Sequence, residues 1–248
     1  MTLSGKIALV TGAGKNIGRA IALTLARDGA AVAVNGRSDA AAVEEVVATI
    51  RAAGGTAAAV MGDVSVHEQA RGVVGAAVQA LGGLDILVSN AGLRRQTAYL
   101  DISLAEWREI MSVALDGAFF LSQAAIPHML ARGGGAIIAM SGMSNHVGTP
   151  NRAHVSASKA GLEGLMRSLA VEFGGQGIRA NCIAPGAIDT VRGTSAGPLP
   201  GSLTLAGTPL GRRGTVDEIA AMVRLLAGPE GAYVTGQTIH VNGGVFLT

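Results

Sequence analysis

The chain has 248 residues, 49% of them hydrophobic and only 3% aromatic, and a formal net charge of +2. That length suits one large α/β domain with an aliphatic core, and so small a charge without a basic stripe argues against nucleic acid as a partner. The lone cysteine, Cys182, excludes an internal disulfide and a multi-cysteine zinc site, so a soluble, cytoplasmic protein without a metal is expected; no export signal and no apolar run of membrane length is read.

In chain order, residues 6–10 form a short apolar run rich in β-formers, the pattern of a strand buried on both faces. Thr11, Gly12 and Gly14 lie where the chain must turn sharply. Ile17, Ile21 and Leu25 then recur at helical spacing, so a helix starts just after the glycines. Strand, glycine turn and helix N-terminus bring backbone N–H groups and a positive dipole end to one point, an arrangement that suits a pyrophosphate. Asn16 stands where such loops usually carry glycine; asparagine tolerates left-handed backbone angles better than most residues.

Strand-like and helix-like segments alternate from there nearly to the end, which predicts a parallel sheet covered on both faces. Residues 31–35, 56–61, 84–89, 135–140, 178–183 and 237–241 read as further strands. Residues 40–53, 67–81, 104–131 (bent near Gly117), 153–173 and 216–226 read as helices. Residues 187–214 are rich in Gly, Pro, Ser and Thr without a clear period, and a loop that long inside one domain reads as a substrate lid. No linker divides residues 1–248, so a single domain is expected.

The end of the second strand bears on which dinucleotide is taken. An acid there would bind a ribose 2′-hydroxyl, but the chain has Asn35-Gly36-Arg37-Ser38. Arg37, with Lys15 on the glycine loop, can clamp a 2′-phosphate, so NADP(H) is favoured over NAD(H). Asp63 and Val64 follow the third strand, where they meet an adenine, and Asn90-Ala91-Gly92 caps the fourth, where backbone passes close to the cofactor.

Together these residues resemble the short-chain dehydrogenase/reductase family over essentially the whole chain, most nearly its 3-oxoacyl carrier-protein reductase type. The matches are Thr11-Gly12 with Gly18, Asp63-Val64, Asn90-Ala91-Gly92, Ser156-Ala157-Ser158-Lys159-Ala160, Asn181 with Pro185-Gly186, Thr190, and Gly236-Gln237-Thr238 with Asn242-Gly243-Gly244. The resemblance implies a single-domain Rossmann fold, a doubly wound parallel sheet of about seven strands. It also implies an NADP-linked oxidoreductase of small carbonyl, alcohol or imine substrates, and a homotetramer or homodimer. Cofactor contacts are then expected from Thr11, Gly12, Gly14, Lys15, Asn16, Ile17, Gly18, Arg37, Asp63, Val64, Asn90, Ala91, Gly92, Lys159, Pro185, Gly186, Ile188 and Thr190.

The family's chemistry rests on an Asn, a Ser, a Tyr and a Lys. Here the lysine is Lys159. The tyrosine position four residues earlier is Val155, the serine position thirteen before that is Gly142, and the asparagine position is Ala114. The losses fall on proton traffic at the substrate oxygen, while the cofactor half is nearly intact. Ser141, His146 and His154 are the candidate replacements for the proton donor. Ser141 and His154 repeat the thirteen-residue spacing, but His154 is five residues from Lys159 and points about 100° away from Val155 unless the helix bulges. Arg94, Arg95 and Arg152 fall on segments expected to rim the pocket and can bind an anionic substrate or simply keep the surface soluble. An iminium acceptor would need no acid at all. The other reading of the triple loss is a weakly active or inactive NADP(H)-binding sensor or interaction protein.

Overall fold

The computed structural model describes residues 2–191 and 208–247. Their strands form one parallel sheet in the order β3-β2-β1-β4-β5-β6-β7. The strands are β1 (Ile7–Val10), β2 (Ala31–Gly36), β3 (Ala57–Met61), β4 (Ile86–Ser89), β5 (Gly135–Met140), β6 (Ile178–Pro185) and β7 (Thr238–Val241). Order reverses between β1 and β4, and crevices for ligands open at the carboxyl ends of strands at such a switch point.

Two aliphatic cores lie on opposite faces of the sheet, as the near absence of aromatics requires. On one face α1 (Asn16–Arg27), α2 (Ala40–Ala52) and α8 (Val216–Ala227) bury Ile21, Leu25, Val46 and Ile219 against Val10, Val32 and Ile138. On the other, α3 (His67–Leu81), α5 (Gly117–Ala131) and α7 (Ala153–Phe173) bury Val73, Leu121 and Met166 against Leu9, Leu87 and Ile137. Alternate residues of one strand thus serve opposite cores, and every central strand is apolar on both sides. The single-domain, doubly wound Rossmann architecture expected from the sequence is the one observed.

Between α4 (Leu104–Met111) and α5 lies a π-helical turn, Ser112–Asp116. Gly117 itself keeps ordinary helical angles, and the irregularity of this stretch is the π turn just before it, an inserted residue in the helical register. Gly117 serves packing instead, since a Cβ there would come within 3.0 Å of the Val64 carbonyl oxygen. The stretch Leu104–Ala131 is long and apolar enough to cross a membrane by length and composition, contrary to the sequence reading, but half of it is buried within the molecule. A core helix passes the same test. The strands beginning at Ile86 and Ile178 and the short helix α6 (Ser144–Val147) also differ from the expected boundaries, in the last case by an element that four residues are too few to announce.

Residues 192–207 of the expected lid lie outside the described residues. The two flanks that are described meet: Ile188 pairs with Gly214, the Asp189 amide donates to the Gly214 carbonyl at 2.8 Å, and the Gly214 amide to that of Ala187 at 3.0 Å.

Candidate active site

The glycine loop is held from beneath by side chains. The Thr11 hydroxyl is fully buried; it donates to the Val88 carbonyl and accepts from the Asn90 and Ala91 amides at 3.0 and 3.1 Å. Asn90 answers with its amide nitrogen on the carbonyls of Thr11 and Gly12, at 2.9 and 3.1 Å. Thr11 is thus a support under the loop, not a wall of the groove. Gly12 has φ +59, and a Cβ on Gly18 would stand 2.3 Å from the Gly12 oxygen, so both positions need glycine for close backbone approach. Asn16 takes φ 51, the left-handed angle anticipated for it.

Asn35 is the residue whose importance the sequence concealed. It is almost wholly buried, and its amide donates to the Val60 and Gly62 carbonyls at 3.1 and 3.2 Å. Its side-chain and backbone oxygens accept from the Gly12 and Ala13 amides at 3.4 and 2.8 Å. One amide side chain therefore ties the ends of β1, β2 and β3 together.

Above this frame runs a groove of ≈ 390 Å³ lined by Gly14, Lys15, Arg37, Asp63, Val64 and Gly92 among others. Arg37 is more than half exposed and lies 3.9 Å from Asp63, whose carboxylate takes the Ser65 amide and hydroxyl. The groove fits a dinucleotide on the chemistry of its donors. The amides of the first turn of α1 have no partner within a helix, the dipole end of α1 faces them, and a guanidinium and an ammonium flank the loop. A Cβ at Gly92 would meet the Lys159 Nζ at 3.6 Å, an ordinary contact, so Gly92 lies directly beside the ammonium.

Ile17, Asn90, Gly92, Leu93 and Arg94 line both this groove and a second pocket of ≈ 150 Å³. The second pocket is walled by Ser141, Gly142, Arg152, Val155 and Lys159, with Pro185, Gly186 and Ile188 opposite. Val155 and Lys159 share one face of α7, one turn apart, as the sequence register requires. The Lys159 ammonium donates to the Met140 carbonyl at 2.6 Å. Burial lowers its pKa to about 8, with the Arg94 charge pushing the same way and the neighbouring Cys182 opposing. Ala114, at the position where the family resemblance puts an asparagine, sits buried on the π turn. A further cavity of ≈ 370 Å³ lies beyond Ile188, where Arg212 is already paired with Glu218 at 2.5 Å.

Of the candidate proton donors, the structure brings only Ser141 to the pocket. His154 is fully buried near the start of a regular α7, with Nε2 3.0 Å from Glu106 Oε1, and Thr97 donates to the same oxygen at 2.6 Å. Without a bulge in α7 its ring stays off the Val155 face, so it is a structural residue. His146 lies 2.9 Å from Glu163 and packs against His240 and Phe246, ring centroids 4.5 and 5.1 Å away, outside the pocket wall. Thr190 lines neither cavity; its hydroxyl is 3.5 Å from the Ile188 carbonyl. Arg95 pairs with Glu109 at 2.7 Å, away from the pocket, whereas Arg94 and Arg152 do line it.

Glu163, which no motif singles out, accepts from the Ser141 hydroxyl at 2.5 Å and from Asn145 at 3.0 Å, beside the His146 contact. Burial alone would raise its pKa, but the hydrogen bonds from Ser141 and Asn145 and the His146 ring outweigh that and hold it below the usual range. The Ser141 proton is therefore directed at Glu163 and not at the pocket.

Known proteins resemble this chain along its full length. The family model described as enoyl-(acyl carrier protein) reductase matches residues 12–246. An uncharacterised oxidoreductase of Methylorubrum extorquens is 44% identical over 247 residues, 98% of each chain. The 3-oxoacyl-[acyl-carrier-protein] reductase FabG of Staphylococcus aureus is 39% identical over 242 residues, again 98% of each chain. Among solved structures, a short chain dehydrogenase from Burkholderia cenocepacia in complex with NADP superposes with a TM-score of 0.91 at 34% identity, covering 99% of both chains.

Proposed function

The chain belongs to the short-chain dehydrogenase/reductase family, and from that premise we propose that it moves a hydride between NADP(H) and a small carbonyl or alcohol substrate beside Lys159. The observation that carries this reading is the Lys159 ammonium itself. It is fixed on the Met140 carbonyl at the junction of the dinucleotide groove and the inner pocket, with a pKa of about 8.

When bound, the nicotinamide supplies or accepts the hydride. Lys15, Arg37 and the first turn of α1 hold the phosphates. Lys159 holds positive charge where the carbonyl oxygen becomes an alkoxide, and its ammonium gives that oxygen a proton which solvent replaces. In the reverse direction the neutral amine takes the alcohol proton. Val155 excludes water from the same face but moves no proton, so turnover below that of relatives with a tyrosine is expected.

An iminium acceptor removes the need for an acid but brings a cation into a pocket already walled by Lys159, Arg94 and Arg152, which counts against it. The absence of an acid after β2 and the bases Arg37 and Lys15 support NADP(H) over NAD(H). A homotetramer or homodimer in the cytoplasm, suggested by the sequence, completes the proposal. The loss of three side chains at Ala114, Gly142 and Val155 supports a second reading, a dinucleotide-binding sensor without useful turnover. Oxidation of NADPH with a panel of small aldehydes, ketones and cyclic imines separates the two. Turnover of carbonyls that is lost in Lys159→Met supports the enzyme; tight NADPH binding with no turnover supports the sensor.

A further inference from the structure

We propose that Asp63 tempers the choice of cofactor: its carboxylate holds the Arg37 guanidinium back from a 2′-phosphate, so that the groove prefers NADP(H) only narrowly and accepts NAD(H) as well. The inference rests on the cofactor reading above and adds how far that selectivity goes. Asp63 is the fixed partner of the pair. Its Oδ1 accepts from the Ser65 amide and hydroxyl at 2.9 and 2.7 Å, and its own amide donates to Gln69 Oε1 at 2.9 Å. The other carboxylate oxygen, Oδ2, lies 3.9 Å from Arg37 Nη1. The aspartate side chain is 24% exposed and the arginine 57%, so the guanidinium is the group that moves.

Both residues line the groove, just past the ends of the paired strands β2 and β3. Lys15 on the glycine loop and Asp39 at the N-cap of α2 line it as well, so two acids accompany the two bases there. Asp39 is committed to the Ala42 amide at 3.1 Å, which leaves Asp63 as the acid that engages Arg37. A phosphomonoester carries about 1.5–2 negative charges at neutral pH, and the guanidinium fork matches it. To meet that group Arg37 must leave Asp63 or divide itself between two anions, and the fixed carboxylate repels the phosphate either way. A ribose with a free 2′-hydroxyl meets neither obstacle.

Calorimetric titration of the wild type and Asp63→Asn with adenosine 2′,5′-bisphosphate and adenosine 5′-monophosphate, then with NADP and NAD, tests this without turnover. Asparagine keeps the side chain's size and an oxygen for Ser65, so a change in adenine contact or in stability falls on both ligands of a pair and cancels in their ratio. The preference for the phosphorylated ligand should widen about three- to tenfold in Asp63→Asn at low ionic strength. High salt should bring the two proteins together, because it screens the carboxylate. In an Arg37→Gln background the same substitution should widen the ratio less, since no guanidinium remains to be released. An unchanged ratio would overturn the inference, as would equal widening without Arg37. A narrowed ratio would overturn it too, by showing that the carboxylate presents Arg37 to the phosphate. Binding of both pairs with no shift removes this inference alone, whereas failure of either pair to bind at all refutes the groove and the inference with it.

Discussion

Asn16 and Val191 exchange two hydrogen bonds: the asparagine side-chain amide donates to the Val191 carbonyl at 3.0 Å, and the Val191 amide donates to the Asn16 side-chain oxygen at 3.0 Å. The residue that takes the left-handed turn of the glycine loop also fastens Val191, the last residue described before residue 208. Two walls of the dinucleotide groove, Asn16 and Val191, are thereby joined through one side chain.

Asn16→Gly keeps the backbone angle and removes both bonds, each worth about 0.5–1.5 kcal/mol. NADPH affinity, followed by fluorescence titration, should fall several-fold and the melting temperature by a few degrees. Asn16→Ala adds about 1–2 kcal/mol of left-handed strain and should melt lower than Asn16→Gly. Equal melting points for the two variants would contradict this role.

Lys159 predicts the pH dependence. Reduction needs the ammonium, so its rate should be level at low pH and decline as pH rises through about 8; oxidation needs the free amine and should rise through the same point. Lys159→Met should lose about two to four orders of magnitude in kcat and the inflection with it. Initial rates from pH 6 to 10 in both directions check this.

Val155 and Gly142 predict a gain. A Cβ on Gly142 meets nothing closer than the Ser144 hydroxyl at 4.0 Å, and Val155 already faces the pocket one turn before Lys159. The double variant Val155→Tyr, Gly142→Ser should therefore fold and raise kcat for ketone reduction by about a hundredfold or more, with little change in NADPH binding. An unchanged kcat would mean that proton delivery does not limit this enzyme.

Glu163 predicts an acid-sensitive wall. Its carboxyl is held below the usual value in the folded state, so the stability it contributes is complete above the ordinary carboxyl pKa of 4.5 and is lost as pH falls through its folded value. Glu163→Gln should cost about 1–3 kcal/mol at pH 7 by urea unfolding and flatten the acid limb of the stability profile. An acid limb identical to that of the wild type would show that other carboxyls govern it.

The sheet was legible because its strands are buried on both faces and read as continuous apolar runs, and the glycine loop because sterics leave few other residues at Gly12 and Gly18. Lys159 and Val155 were placed by a helical register that the structure keeps. What escaped was long-range and polar. Asn35, read as the end of a strand lacking an acid, is a buried brace; Glu163 lies within an apolar helix and gains meaning only from Ser141, Asn145 and His146. His154 carried the right spacing on the wrong face, and the π turn in the long helix is one that no periodicity announces. Such features depend on partners distant in sequence, which local patterns do not encode.

Deuterium transfer tests most directly whether hydride delivery has survived the loss of the tyrosine. The protein would be given NADPH deuterated at C4 on either face, together with a panel of small oxo acids and neutral ketones, and the alcohols examined by mass spectrometry. One deuterium should appear in the product from one face only, and Lys159→Met should abolish it. Saturable binding of NADPH with no label in any product would contradict the assignment as an oxidoreductase.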